Sequence, residues 1–253
     1  MAQDEAPGLA AFAGAGDGQP RRSRGFGFVL RRIAGALLAV VFAWAAAVFV
    51  LGLIYTVAPP VSTLMLGRWL SGQSVTRDAV PLEQISAHLP LAVITSEDAR
   101  FCEHSGVDWA ALRQVVEEAD EDGPARGAST IPMQAAKNLF LWPSRSYIRK
   151  GLELPLALYI DLVWSKRRMV EVYLNVAEWG DGVFGAEAAA RRYFNKPARS
   201  LSRREAALLA TALPNPLRRN PGRPTARHRF LAERLLARME AAGPVNACVR
   251  QAA

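Results

Sequence analysis

Residues 96–108 read SEDARFCEHSGVD. An apolar run, Leu91-Ala92-Val93-Ile94, leads into them, so charge interrupts what begins as a helix. At about 100° per residue, Glu97, Phe101 and His104 fall on one side of that helix. A carboxylate beside an aromatic ring and an imidazole can be a tuned acid or base. An ordinary solvated helix face has the same spacing, so this stretch needs its neighbours to be read.

Downstream, Gly127-Ala128-Ser129-Thr130-Ile131-Pro132-Met133-Gln134-Ala135-Ala136-Lys137-Asn138 reads as a capped helix start with proline in its first turn. Thr130, Gln134 and Lys137 lie on one face of it. Free N–H groups at a helix start with a lysine on the same face form a ready anion site, although a capped surface helix with a polar stripe looks alike. Arg149-Lys150-Gly151-Leu152-Glu153 allows an ion pair four residues apart, which is often surface decoration. Lys166 to Asn175 reads as a basic helix end followed by a buried stripe.

Around these clusters the chain is helical in rhythm. Helices are expected within 80–120, over 131–140, over 148–176 with a kink at Pro155, and over 186–194, 202–213 and 225–241. Residues 121–128 and the segment holding Gly180, Gly182 and Gly185 are expected as loops. No alternating β-branched run stands out, which predicts an all-α domain.

The 253 residues carry 31 Lys plus Arg against 23 Asp plus Glu, a net charge of +8. Hydrophobic residues make up 51%, which excludes a mainly disordered chain. Two cysteines, Cys102 and Cys248, exclude a disulfide-rich scaffold and any paired-cysteine metal module. Residues 33–57 are free of charge. At about 1.5 Å per residue they span a bilayer core, and they exceed the apolar stretch of a signal peptide. Arg21, Arg22, Arg24, Arg31 and Arg32 precede the span, whereas the next basic residue is Arg68. The positive-inside rule then keeps the N-terminus cytoplasmic and exports the rest. The expected organisation is a basic, largely disordered tail over 1–32, a transmembrane anchor over 33–57, a membrane-proximal linker over 58–79 and an exported domain over 80–253. Residues 61–72 are apolar with one charge, and read as a continuation of the membrane helix, an interfacial segment or a core helix. The basic balance suits anionic lipid or a phosphate-bearing substrate, and export argues against nucleic acid.

Taken together and in order, the clusters are specific. The sequence resembles the peptidoglycan glycosyltransferases, the lysozyme-like transglycosylases that polymerise lipid II. Glu97-Asp98, Phe101, His104 and Gly106 meet the family's first motif. Gly127, Ser129, Thr130, Gln134, Lys137 and Asn138 meet the second, with Met133 where many members have a glutamine. Arg149, Lys150 and Glu153 meet the third, and Lys166, Glu171, Tyr173, Leu174 and Asn175 the fourth. The likeness runs from about residue 80 to 220 and is greatest to the monofunctional biosynthetic branch. The nucleophile and lysine-threonine-glycine strings of a transpeptidase do not occur, so no transpeptidase activity is expected.

The resemblance implies a lysozyme-like helical domain in the inner (cytoplasmic) membrane, with its catalytic part in the periplasm. The implied reaction joins a glycan on undecaprenyl pyrophosphate to the 4-hydroxyl of an acceptor lipid II, forming a β-1,4 link with inversion. It makes Glu97 the base and Glu153 the second catalytic glutamate. Substrate-binding roles fall to Asp98, Phe101, His104, Ser129, Thr130, Gln134, Lys137, Asn138, Arg149 and Lys150. Glu153 either organises the cations or holds a divalent Mg or Mn on the pyrophosphate; no His/Cys cluster demands a metal. Other wall-synthesis or division proteins are the implied partners. The rival readings are a lytic transglycosylase or muramidase and an inactive membrane scaffold of wall synthesis. An exported location permits a disulfide, but the sequence gives no geometry, and Cys102 reads as a small buried thiol.

Overall fold

A computed structural model describes residues 24–118, 129–144, 146–241 and 245–249. The N-terminal tail up to residue 23 and the loop expected at 121–128 lie outside the described residues. The chain divides into two compact units, Met1–Ala47 and Val48–Ala253.

Helix α1 (Arg24–Ile54) starts earlier than expected, inside the basic tail. Arginines are good helix formers and do not stop a helix, and Arg32 lies over the Phe28 ring at 4.9 Å. Within α1, Gly27–Ile54 is long and apolar enough to cross a membrane; at 1.5 Å per residue it measures about 42 Å. Leu37, Leu38, Val40 and Phe42 are exposed on its surface.

In the second unit the last turns of α1 pack on helices α6 (Tyr147–Val163) and α7 (Lys166–Val176). Trp164 Nε1 donates to the Gly52 carbonyl at 2.7 Å, and the Tyr159 hydroxyl to that of Phe49 at 2.5 Å. A Cβ at Gly52 would meet the Tyr159 ring at 2.5 Å, so a larger residue there would push that ring aside. Arg168 donates to the carbonyls of Tyr55 (2.9 Å) and Ala58 (2.6 Å), placing a cation at the negative end of α1.

Residues 58–79, expected as a linker, contribute two elements to this unit. Ser62 caps α2 (Thr63–Leu70), accepting from Met65 N at 3.1 Å. Met65 is wholly buried, whereas Leu66, Trp69 and Leu70 are exposed. The segment is therefore a separate short helix, anchored in the domain by one face and apolar on the other. Strand β1 (Thr76–Arg77) follows.

The core is helical. α3 (His88–Glu97) packs on α9 (Arg203–Ala212) and α10 (Ala226–Ala241), and α5 (Ile131–Phe140) packs on α6 and α7. α4 (Trp109–Glu117) and α8 (Ala186–Phe194) complete the described set. Phe101, Tyr173, Trp179 and Phe184 are buried among them. The expected helix over 148–176 is two helices. Its break is not at Pro155, which α6 runs through, but at Trp164, where the backbone turns extended and Ser165 caps α7.

The glycine segment is a β-hairpin rather than a loop. β2 (Glu178–Gly180) and β3 (Val183–Phe184) pair antiparallel, and β3 pairs parallel with β1 in the register Thr76↔Val183. Gly182 turns the hairpin at φ +69, where an added Cβ would meet the Ser74 carbonyl at 2.6 Å. Strands of two or three residues have no room for an alternating pattern, so the sequence carries no period-two signal for them.

Candidate active site

Glu97 is the last residue of α3 and Asp98 its C-terminal cap. The helix stops there, so Phe101 and His104 do not share a helical face with Glu97 as expected. They lie in the turns that follow, and Asp98 ties those turns together. One carboxylate oxygen meets His104 Nε2 at 2.9 Å and the other accepts from Ile131 N, the first amide of α5, also at 2.9 Å. Phe101 is fully buried, with Lys166 Nζ 4.7 Å from its ring centroid. Lys166 also donates to the His104 carbonyl at 2.6 Å and to Asp161 at 2.8 Å. Asp98, Phe101 and His104 are thus occupied inside the protein, fixing the loop that leaves Glu97.

Thr130 caps α5 and is buried. Its hydroxyl donates to the Gly106 carbonyl at 2.6 Å and accepts from Met133 N at 3.3 Å. That proton is directed at the fold, although Thr130 also stands in the wall of a cavity beside Glu97. Gln134, one turn on, gives its amide to Glu97 Oε2 at 3.2 Å, and its Oε1 accepts from the Tyr173 hydroxyl at 2.9 Å. Ser96 Oγ donates to Glu97 Oε1 at 3.0 Å. Burial raises the pKa of Glu97; the Gln134 and Ser96 hydrogen bonds and the charges of Arg219 and Lys137 act against that rise.

A cationic cluster stands beside this carboxylate. Glu153, 2% exposed, pairs with Arg149 through Oε1 and with Lys150 through Oε2 at 2.8 Å. Lys150 Nζ also reaches Ser129 Oγ at 2.5 Å, and Arg149 Nε the Ser144 carbonyl at 2.5 Å. Burial, with Arg149 and Lys137 alongside, lowers Lys150 to about 8. Lys137 is lowered by burial and by Arg149, with Glu97 opposing. Asn138 is buried one residue further along α5. Lys137, Asn138 and Arg149 line a cavity of about 390 Å³ whose other walls include Leu64, Leu141 and Trp142. Glu97, Asp98, Ser129 and Thr130 line a second one of about 210 Å³.

Magnesium or manganese would need several oxygen ligands. Both oxygens of Glu153 already face cations, and no group of three His, Cys, Asp or Glu among the described residues can hold a metal ion. The residues present do not fit a metal centred on Glu153.

A transglycosylase family model matches residues 64–240 of the sequence. The chain belongs to the transglycosylase family. It is 50% identical over 215 residues to the biosynthetic peptidoglycan transglycosylase of Rhodopseudomonas palustris (strain HaA2), which covers 84% of this chain and 95% of the relative. To that of Brucella suis biovar 1 (strain 1330) it is 50% identical over 221 residues, covering 87% and 98%. To that of Agrobacterium fabrum (strain C58 / ATCC 33970) it is 55% identical over 193 residues, covering 75% and 84%. The family span of this transglycosylase begins inside α2, ahead of the boundary at 80 drawn from the motifs.

Three neighbours of Glu97 escaped the sequence reading as site residues. Tyr173 belongs to the fourth motif, yet nothing in its spacing says that it holds Gln134. Ser96 is a common residue at a helix end. Arg219 lies far along the chain, beyond α9, with no local signal. The thiol reading of Cys102 is corrected: it forms a disulfide with Cys248, Cα–Cα 5.7 Å, across 146 residues of sequence. Residues 245–249 return to the loop after Glu97, and Arg167 Nη1 donates to the Val249 carbonyl at 3.0 Å. That long-range return is what brings the two sulfurs together.

Proposed function

We propose that Glu97 is the base of a glycosyl transfer that polymerises lipid II into peptidoglycan strands. Peptidoglycan glycosyltransferase activity comes with family membership; the roles of the residues are the reading added here. The acceptor 4-hydroxyl attacks the donor anomeric carbon, its proton passes to Glu97, and the bond to the pyrophosphate oxygen breaks with its electron pair leaving on oxygen. Attack from the side opposite the leaving group gives inversion and a β-1,4 link. The leaving pyrophosphate takes its charge stabilisation from Lys137, Arg149 and Lys150, with Asn138 beside the first two and Ser129 beside Lys150. Glu153 is a positioning residue, because it holds Arg149 and Lys150 in one place. No step passes through a metal.

The observation that carries this reading is the bonding of Glu97 to Ser96 and Gln134 at a cleft next to three cations. A cleaver of uncharged glycosidic bonds has no use for those cations. Gly27–Ile54 serves as a single-pass anchor in the inner membrane, with the N-terminus cytoplasmic and the catalytic unit periplasmic, on the charge asymmetry around it. Confining enzyme and polyprenyl substrate to one surface raises their effective concentration. Wall-synthesis or division proteins are its expected neighbours there.

The test is lipid II turnover by detergent-purified protein. Wild type is expected to form polymer that muramidase digests, and Glu97→Gln none. Release of sugars from preformed glycan without polymer would replace this reading with the lytic one.

A further inference from the structure

Beyond the catalytic cleft, a pocket of about 300 Å³ opens between the end of α3 and the helices α9 and α10. Its wall includes Ser96, the neighbour and hydrogen-bond donor of Glu97, so it adjoins the reacting position. Three guanidiniums line it, those of Arg219, Arg234 and Arg238. None has a carboxylate partner among the described residues. Arg219 Nη1 is tied to the Thr211 carbonyl at 2.6 Å, and Arg238 to that of Thr95, so neither guanidinium is spent on a direct ion pair among the described residues, although Arg219 feels the Glu97 charge. Among the described residues Arg234 makes a face contact with the Phe230 ring at 5.9 Å and no ion pair, and it is exposed. Leu235 gives the pocket an apolar, buried floor.

Three guanidiniums without a direct ion pair, over an apolar floor, suit a ligand with a carboxylate on a short aliphatic chain. They suit it better than a bare inorganic anion, which has no use for the floor. The reaction offers such a ligand. The muramyl sugar whose anomeric carbon reacts near Glu97 carries a short peptide with free carboxylates. We infer that this pocket binds the peptide carboxylate of the donor's muramyl sugar, seating the donor beside Glu97. The inference deepens the glycosyltransferase reading and rests on it.

The test separates the two. Soluble N-acetylmuramyl pentapeptide, with no lipid and no pyrophosphate, is titrated into full-length detergent-purified protein by calorimetry, beside the same compound with its carboxylates amidated. Wild type is expected to bind the free acid about 10-fold more tightly, the scale of one charge-assisted hydrogen bond. Arg234→Gln should remove most of that difference while binding the amidated probe as wild type does. Arg234→Lys, which keeps the charge without the planar fork, should fall between them. Circular dichroism checks that each variant folds. Equal binding of both probes by wild type, no binding, or an undiminished difference in Arg234→Gln overturns the inference. So does displacement of the free acid by an equal concentration of inorganic phosphate, which would mark a general anion site. Failure of the glycosyltransferase reading shows elsewhere, as absence of polymer from lipid II.

Discussion

Gln134 donates to Glu97 at 3.2 Å and is itself held by the Tyr173 hydroxyl at 2.9 Å. The amide therefore has one orientation, with its N–H on the carboxylate and its oxygen on the phenol. Burial pushes the Glu97 pKa up and this bond pulls it down. Gln134→Ala removes the pull, so the acid limb of kcat/KM should move to higher pH. Tyr173→Phe leaves the amide in place but unheld, and should move the limb the same way by less. Its cost in kcat is about 1 kcal/mol, roughly fivefold. A pH profile of polymer formation checks both. A lower rate with an unmoved limb would reduce Gln134 to packing.

The same burial has a consequence for stability. Glu97 has a higher pKa folded than unfolded, so its ionised form is disfavoured in the native state. Below the unfolded value, about 4.3, both states are protonated and nothing is lost. As pH rises through that value towards the folded one, the native state loses stability. Glu97→Gln cannot ionise and should melt higher than wild type at pH 8, with the gap closing by pH 4. Thermal unfolding at the two pH values measures it. A variant less stable at pH 8 would mean that the carboxylate is a net support of the fold.

How much of this could be read beforehand depended on the distance over which the signal acts. Thr130 as helix cap with Pro132 behind it is local chemistry, and α5 begins where that chemistry says. The family resemblance implied one site for Glu97, Gln134 and the Arg149–Glu153 group, which their spacing alone did not, and the structure places Gln134 on Glu97 with the Glu153 cations alongside. What failed was contact across long separations. Nothing near Cys102 announces Cys248, and nothing near Glu97 announces Arg219. The role of Asp98 also needs the fold, because its two partners, His104 and Ile131, come from different turns of chain. Continuous helical rhythm hid the break at Trp164, which a tertiary bond to Gly52 accompanies.

Lys150 predicts the alkaline side of the profile. Burial and the neighbouring Arg149 and Lys137 bring its pKa down to about 8. Above that pH the ammonium loses its proton, and one of the three charges proposed to face the pyrophosphate goes with it. kcat/KM should therefore fall as pH rises through about 8. Lys150→Arg keeps the charge to much higher pH and should push the limb upward, even if its maximum rate is several-fold lower. A limb unmoved in the arginine variant would assign it to another group.

Gly106 links the two halves of the site through its backbone. It sits at φ +76 and its carbonyl accepts from Thr130. A Cβ there would lie 2.8 Å from the Ala157 carbonyl oxygen, which is backbone and cannot swing aside. Gly106→Ala adds the strain of a left-handed residue to that clash, about 2–4 kcal/mol together. Its melting temperature should fall by roughly 5–15 °C. A change under about 2 °C would mean that α6 moves to make room.

The Cys102–Cys248 bond closes a loop across 146 residues and pins residues 245–249 to the turn that follows Glu97. Closing so long a loop restricts the unfolded chain strongly, and losing it costs about 2–5 kcal/mol. The double variant Cys102→Ala/Cys248→Ala should therefore melt roughly 5–15 °C below wild type. Reducing agent should lower the wild-type melting temperature by a similar amount and leave the double variant unchanged. Activity should respond less than stability at 25 °C, because Asp98, His104 and Ile131 hold the turn from its other side. Thermal scans with and without reductant, beside polymer assays well below the transition, separate the two effects. Lost activity with an unchanged melting temperature would show that the strap shapes the turn itself, and that the bonds through Asp98 do not hold it alone.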